Sequence, residues 1–111
     1  MNDFYDIDYS RVVSIIVKNI DPEKIILFGL RGRGDNLPDS DMDILVIDNK
    51  SFSKERGRYS LRRSLRKALS EINVPKDILL YSIDEAEHRN NYPNHILFTC
   101  LKEGRVIYAK S

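Results

Sequence analysis

Two unbroken apolar runs, Ile25-Ile26-Leu27-Phe28 and Ile44-Leu45-Val46-Ile47, constrain this chain more than any other feature. Neither alternates with polar residues, so neither suits a strand with one wet face; each reads as a strand buried on both sides. We set the strands at residues 24–29 and 42–47. Between them come three glycines, Gly29, Gly32 and Gly34, which make a compact turn able to open a short helix, and then the loop Leu37-Pro38-Asp39-Ser40. The second strand is entered through Asp41-Met42-Asp43. Positions i and i+2 of a strand share a face, so Asp41 and Asp43 aim side by side at whatever sits before the Gly29 turn. Two convergent carboxylates beside exposed backbone N–H groups suit Mg²⁺ carrying a nucleoside triphosphate.

The rest of the chain supplies cover for those strands. A helix is expected over residues 10–19, capped by Asp8 or Ser10, with Val12, Val13, Ile16 and Ile20 along one side. Asp21-Pro22 stops it. Residues 54–72 read as the longest helix, with Leu61, Leu65, Ala68, Leu69 and Ile72 as its apolar stripe and arginines facing away. A third strand follows at 77–82. Ser82-Ile83-Asp84-Glu85 is a capping box opening a short helix toward His88, and Tyr92-Pro93 breaks the chain. A last helix is expected over 94–103 with Gly104 closing it, then a short strand at 105–109. This order predicts an α/β (α+β) domain in which a small mixed sheet is flanked by helices. At 111 residues, the whole of 1–111 reads as one domain.

Composition narrows the function classes. With 41% hydrophobic and 32% charged residues the chain reads as a soluble globular protein, and a net charge of +1 gives no overall push toward nucleic acid or membrane. Its single cysteine, Cys100, excludes an internal disulfide and a cysteine zinc site; lying in Ile96-Leu97-Phe98-Thr99-Cys100-Leu101, it reads as a buried structural thiol. His88 and His95 have no cysteine or histidine at ligand spacing. No run approaches the ~18 apolar residues of a membrane span, and Met1–Asp6 is acidic where a signal peptide would be basic. A cytoplasmic protein is expected. Local charge is uneven: residues 35–48 hold five aspartates and no cation, whereas residues 54–67 hold seven cations against Glu55 alone.

Several signatures nearly fit the central segment and fail. Gly29 and Gly34 have P-loop spacing, but Asp35-Asn36 follow where Lys-Ser/Thr is required. The glycines run Gly-x-x-Gly-x-Gly, not the dinucleotide Gly-x-Gly-x-x-Gly. Asp39-x-Asp41-x-Asp43 imitates an EF-hand opening, yet Ile44 and Lys50 occupy the positions of its glycine and glutamate. Arg31 and Arg33 lie where a triphosphate would rest, and guanidinium forks match phosphate oxygens; loop solvation or a salt bridge to Asp35 or Asp39 explains them equally well.

Phe28-Gly29-Leu30-Arg31-Gly32-Arg33-Gly34 together with Ser40-Asp41-Met42-Asp43-Ile44, with ten residues between Leu30 and Asp41, resembles the polymerase-β-like nucleotidyltransferases, and most closely the minimal nucleotidyltransferases. The family pattern is Gly-Ser, about ten residues, then Asp-x-Asp. The resemblance extends through Val74-Pro75-Lys76-Asp77-Ile78-Leu79-Leu80-Tyr81, where the family carries its third carboxylate on a strand, to Glu103-Gly104-Arg105-Val106-Ile107-Tyr108. It implies two Mg²⁺ ions held by Asp41, Asp43 and Asp77, with Asp77 as general base. It implies ATP as the nucleotide, its phosphates beside Gly29, Leu30, Arg31 and Arg33. It further implies an antitoxin that moves AMP onto a tyrosine hydroxyl of a HEPN-domain toxin, in a hetero-oligomer with it. One departure stands out: the family's serine is Leu30 here, which offers only a backbone N–H. That leaves open a second reading, a binding module that neutralises its partner by contact. An RNA-directed transferase is disfavoured, since 111 residues leave little room for an RNA-binding lobe. For the arginines of the long helix, a solvated face and a surface for an acidic partner or RNA both remain open.

Overall fold

The apolar runs become the two central strands of a four-stranded sheet. The computed structural model describes residues 7–89 and 96–111. β1 (Pro22–Phe28) pairs antiparallel with β2 (Met42–Asp48), and β3 (Lys76–Ser82) lies parallel beside β2. β4 (Arg105–Ala109) pairs antiparallel with β1 at the other edge, giving the order β3-β2-β1-β4. The sheet is mixed, as expected, because parallel neighbours β2 and β3 need a crossover and a helix supplies it.

Helices cover both faces, which is why β1 and β2 show no alternation. α1 (Tyr9–Asn19) and α3 (Arg58–Ala68) lie on one face. There Val12, Ile16, Leu65 and Leu69 pack with Ile25, Leu27, Met42, Ile44, Val46, Ile78 and Leu80. α4 (Ile83–Arg89) and α5 (Ile96–Glu103) lie on the other. Ala86, Leu97 and Cys100 pack there with Ile26, Leu45 and Ile47. Cys100 is thus the buried thiol expected, and burial followed by the negative charge of Asp43 pushes it up to about 11. None of the described helices is long and apolar enough to cross a membrane.

Local signals account for most boundaries. Asp8 caps α1, its carboxylate accepting from the N–H groups of Ser10 and Arg11. The Ser10 hydroxyl also donates to that carboxylate, and this bond first, then the backbone N–H bonds, hold Asp8 below its ordinary value. The capping box is reciprocal: Ser82 N–H donates to Glu85 Oε1 at 3.0 Å and Glu85 N–H to Ser82 Oγ at 3.2 Å. The long helix differs from expectation at both ends. It begins at Arg58 rather than at 54, because Ser53 and Arg56 close a turn on each other and Arg56 reaches back to Asp48. Beyond Ala68 it tightens into a 3₁₀ turn, Leu69–Glu71, so the helix is shorter and less regular than the stripe over 54–72 suggests. The expected break at Tyr92-Pro93, the start of the last helix at 94, and His95 lie outside the described residues.

Candidate active site

β2 alternates, and that alternation aims the carboxylates. Met42, Ile44 and Val46 go to the α1/α3 core, so Asp43 shares the α4/α5 face with Leu45 and Ile47. In the parallel register Asp43 stands opposite Asp77, and in the antiparallel register it stands opposite Phe28, the last residue of β1. Asp41, two residues before Asp43, is exposed at the mouth of the strand, and Asp77 is exposed at the start of β3. The three aspartates singled out from the sequence therefore meet at one end of the sheet. Asp43 sits above the ordinary carboxylate value, because burial disfavours its charge and Asp77 and Asp41 then repel it. Among the described residues no cation pairs with any of the three.

Gly29 sits against this cluster. It turns the chain out of β1 with φ +67°, and a Cβ placed on it would stand 2.3 Å from Asp43 Oδ2. Only glycine permits both the conformation and the close approach. α2 (Gly29–Arg33) follows at once and ends on Gly34 in the left-handed region, φ +77°. Gly32 serves packing instead. A Cβ there would stand 2.5 Å from the Leu27 carbonyl oxygen, so the helix lies hard on β1. Leu30 is 45% exposed at this turn.

The two arginines of α2 part company. Arg33 remains exposed, 3.7 Å from Asp35. Arg31 points inward and is only 3% exposed. Its Nε donates to the Ser40 carbonyl and its Nη2 to the Pro38 carbonyl, each at 3.0 Å; Nη1 donates to the Tyr9 hydroxyl at 3.3 Å. These partners, two backbone carbonyls and a tyrosine, stand in place of the salt bridge to Asp35 or Asp39 raised from the sequence. It ties the acidic loop to α2 just before Asp41.

A cleft of about 190 Å³ opens between this turn and α5, lined by Phe28, Gly29, Arg33, Thr99, Cys100 and Glu103. Sequence alone does not single out Thr99 and Glu103; their only trace is an i, i+4 spacing beside Cys100 on an amphipathic helix. Three carboxylates offer the hard oxygen donors Mg²⁺ takes, and the glycine leaves room before them. Among the described residues no three potential ligands already close around a single point. The aspartates flank one another with their mutual repulsion unrelieved, a state that a divalent cation would relieve.

A mixed four-stranded sheet with adjacent strand-borne carboxylates facing a glycine turn is the architecture of polymerase-β-like nucleotidyltransferases. The family model for polymerase beta nucleotidyltransferases matches residues 10–111, and the chain belongs to that family. No curated protein matches the chain significantly. Among solved structures, a chain of a toxin–antitoxin complex with AMP-PNP is 17% identical with a TM-score of 0.60, covering 95% of this chain and 76% of that one. A candidate nucleotidyltransferase from Sulfolobus solfataricus is 19% identical with a TM-score of 0.61, covering 92% and 78%. A chain from the structure of the tri-AMPylated Shewanella oneidensis HEPN toxin in complex with its MNT antitoxin is 17% identical, with a TM-score of 0.50 and coverage of 91% and 69%. At such identities the likeness is one of fold.

Proposed function

We propose that this chain is a minimal nucleotidyltransferase that moves AMP from ATP to a hydroxyl, most simply a tyrosine's, on a HEPN-domain toxin, and so acts as its antitoxin in a cytoplasmic hetero-oligomer. The observation that carries the reading is the meeting of Asp41, Asp43 and Asp77 in front of Gly29, with no cationic side chain among the described residues paired to them. The fold likeness to chains from toxin–antitoxin complexes, one with AMP-PNP and one with an AMPylated HEPN toxin, supports the choice of nucleotide and partner.

Asp41 and Asp43 would hold two Mg²⁺ ions, one of them shared with Asp77. Bound Mg²⁺ supplies charge neutralisation at the triphosphate and a lowered pKa at the acceptor hydroxyl. The first N–H groups of a helix are not consumed inside it, so those of Gly29 and Leu30 are placed to meet phosphate oxygens. Arg33, exposed and only loosely paired, can turn to them. Arg31 contributes by holding the loop that delivers Asp41. Asp77 takes the acceptor's proton as the acceptor oxygen attacks the α-phosphorus. The bond from that phosphorus to the bridging oxygen breaks, and pyrophosphate leaves.

Leu30 favours a second reading. With a leucine where the family has serine, 45% exposed at the turn, the chain could neutralise its partner by contact alone. One experiment separates the two. With ATP labelled at the α-phosphate, Mg²⁺ and a HEPN-domain toxin as candidate acceptor, a transferase moves label to the partner and Asp41→Asn does not. Silencing of the partner without label in either protein would favour the contact reading. Failure of Mg²⁺ and ATP together to raise the melting temperature of the wild type would count against both metal and nucleotide at this site.

A further inference from the structure

We propose that the outer face of α3 is a binding site for single-stranded RNA, separate from the nucleotidyl-transfer site. Tyr59, Arg63, Arg66 and Lys67 lie at i, i+4, i+7 and i+8, on one face of the helix, opposite Leu65, which is buried in the core. The face forms a broad open groove of about 530 Å³ lined by Ser60, Arg63, Ser64, Arg66 and Lys67.

The charges on this face pair with no carboxylate among the described residues. Arg11, Arg33, Arg56, Arg58 and Lys110 each hold a carboxylate. Among the described residues Arg62, Arg63, Arg66 and Lys67 hold none, and α3 contains no acidic residue at all. Like charges one turn apart destabilise a helix, so packing gains nothing from them. Tyr59 is a second, independent oddity: it heads the same face and is 73% exposed, presenting its ring to solvent.

Cations that follow a phosphate backbone beside a ring that accepts a base are the two elements of single-strand recognition. A protein partner fits less well. Protein interfaces centre on an apolar patch and are poor in lysine, whereas this face offers one aromatic ring amid cations, the strongly positive and polar character of a nucleic-acid interface. Ser60 and Ser64 line the same groove, and their hydroxyls suit a 2′-hydroxyl that both donates and accepts. The strip also has a direction. α3 crosses from the end of β2 to the start of β3, so its basic end comes down beside Lys76, next to Asp77.

The test uses the full chain and a fluorescent 15-nucleotide oligo(U), titrated across salt without nucleotide or Mg²⁺. Binding on the order of micromolar at low salt is expected. Three neutralised phosphates give a log–log salt slope of roughly −2. Arg63→Glu, Arg66→Glu and Lys67→Glu together should cost at least roughly tenfold and flatten that slope. Tyr59→Ala should weaken binding by roughly fivefold or more with the slope unchanged, because stacking is not screened by salt. Glutamine replacements serve if charge reversal disturbs the circular dichroism spectrum. Polyglutamate binding as tightly as oligo(U), oligo(dT) binding more tightly than oligo(U), a slope untouched by the cation replacements, or a silent Tyr59→Ala would each overturn the proposal.

Discussion

Asp43 and Asp48 stand five residues apart on one strand, and the fold treats them in opposite ways. Asp48 is fully buried at the far end of β2. There its Oδ2 accepts from Arg56 Nη2 at 2.6 Å and its Oδ1 from the Lys50 N–H at 3.1 Å. Asp43 is half-buried at the near end, where its charged neighbours are two more aspartates and a glycine has been cleared from its path. A carboxylate that serves the fold comes with its counter-charge. One left among like charges is arranged for something that arrives later. The same contrast recurs among the cations: Arg56 is used at once, while Arg63, Arg66 and Lys67 wait on the surface.

Exchanging the fates of the two aspartates tests this most severely. Asp43→Asn should abolish AMP transfer and the melting-temperature shift given by Mg²⁺ with ATP, yet leave stability in urea within about 0.5 kcal/mol of wild type. Asp48→Ala should do the reverse, costing about 3 kcal/mol by stranding Arg56 without its partner, with transfer per folded molecule retained. If Asp43→Asn proved the more destabilising of the two, the division between them would collapse.

A smaller effect is expected at Leu30. Restoring a hydroxyl by Leu30→Ser should raise transfer by roughly one to two decades, the worth of one hydrogen bond to a charged group, roughly 1.5–3 kcal/mol. Label transfer measured in single turnover checks it. No gain, alongside undiminished silencing of the partner, would assign the chain to contact neutralisation.

The smallest effect is the pH dependence of Asp43. Its folded value lies above the ordinary 3.8, by burial and by repulsion from Asp77 and Asp41, so the folded state binds the proton more tightly than the unfolded chain. Stability from this group is greatest below 3.8 and is lost as pH rises through the raised folded value. With EDTA present, the stability of Asp43→Asn relative to wild type should therefore grow across that window and then level off. A flat difference would mean that the three carboxylates do not feel one another.

The strands and the aspartate cluster are legible in the sequence because their signals are local or strictly periodic. Apolar runs mark β1 and β2, spacing of two puts Asp41 and Asp43 on one side, and Ser82 with Glu85 announces α4. What stays hidden depends on partners far along the chain. The start of α3 is concealed because the cations of residues 54–57 look helical until Arg56 is seen turning to Asp48. Thr99 and Glu103 reach the site only because α5 packs across from β1. Arg31 is indistinguishable from Arg33 in sequence, since backbone carbonyls leave no side-chain signature.

That buried arginine has a consequence for how the chain can vary in length. Its fork grips the carbonyls of Pro38 and Ser40, so the path from α2 out through the acidic loop and back to β2 is measured against one guanidinium. The stretch from Pro38 to Asp41 thus acts as a gauge. An inserted residue on the loop side of the grip, at 35–37, can bulge harmlessly into solvent. One inserted between Ser40 and Asp41 shifts the strand's phase by one, and turns Asp43 from the site into the core.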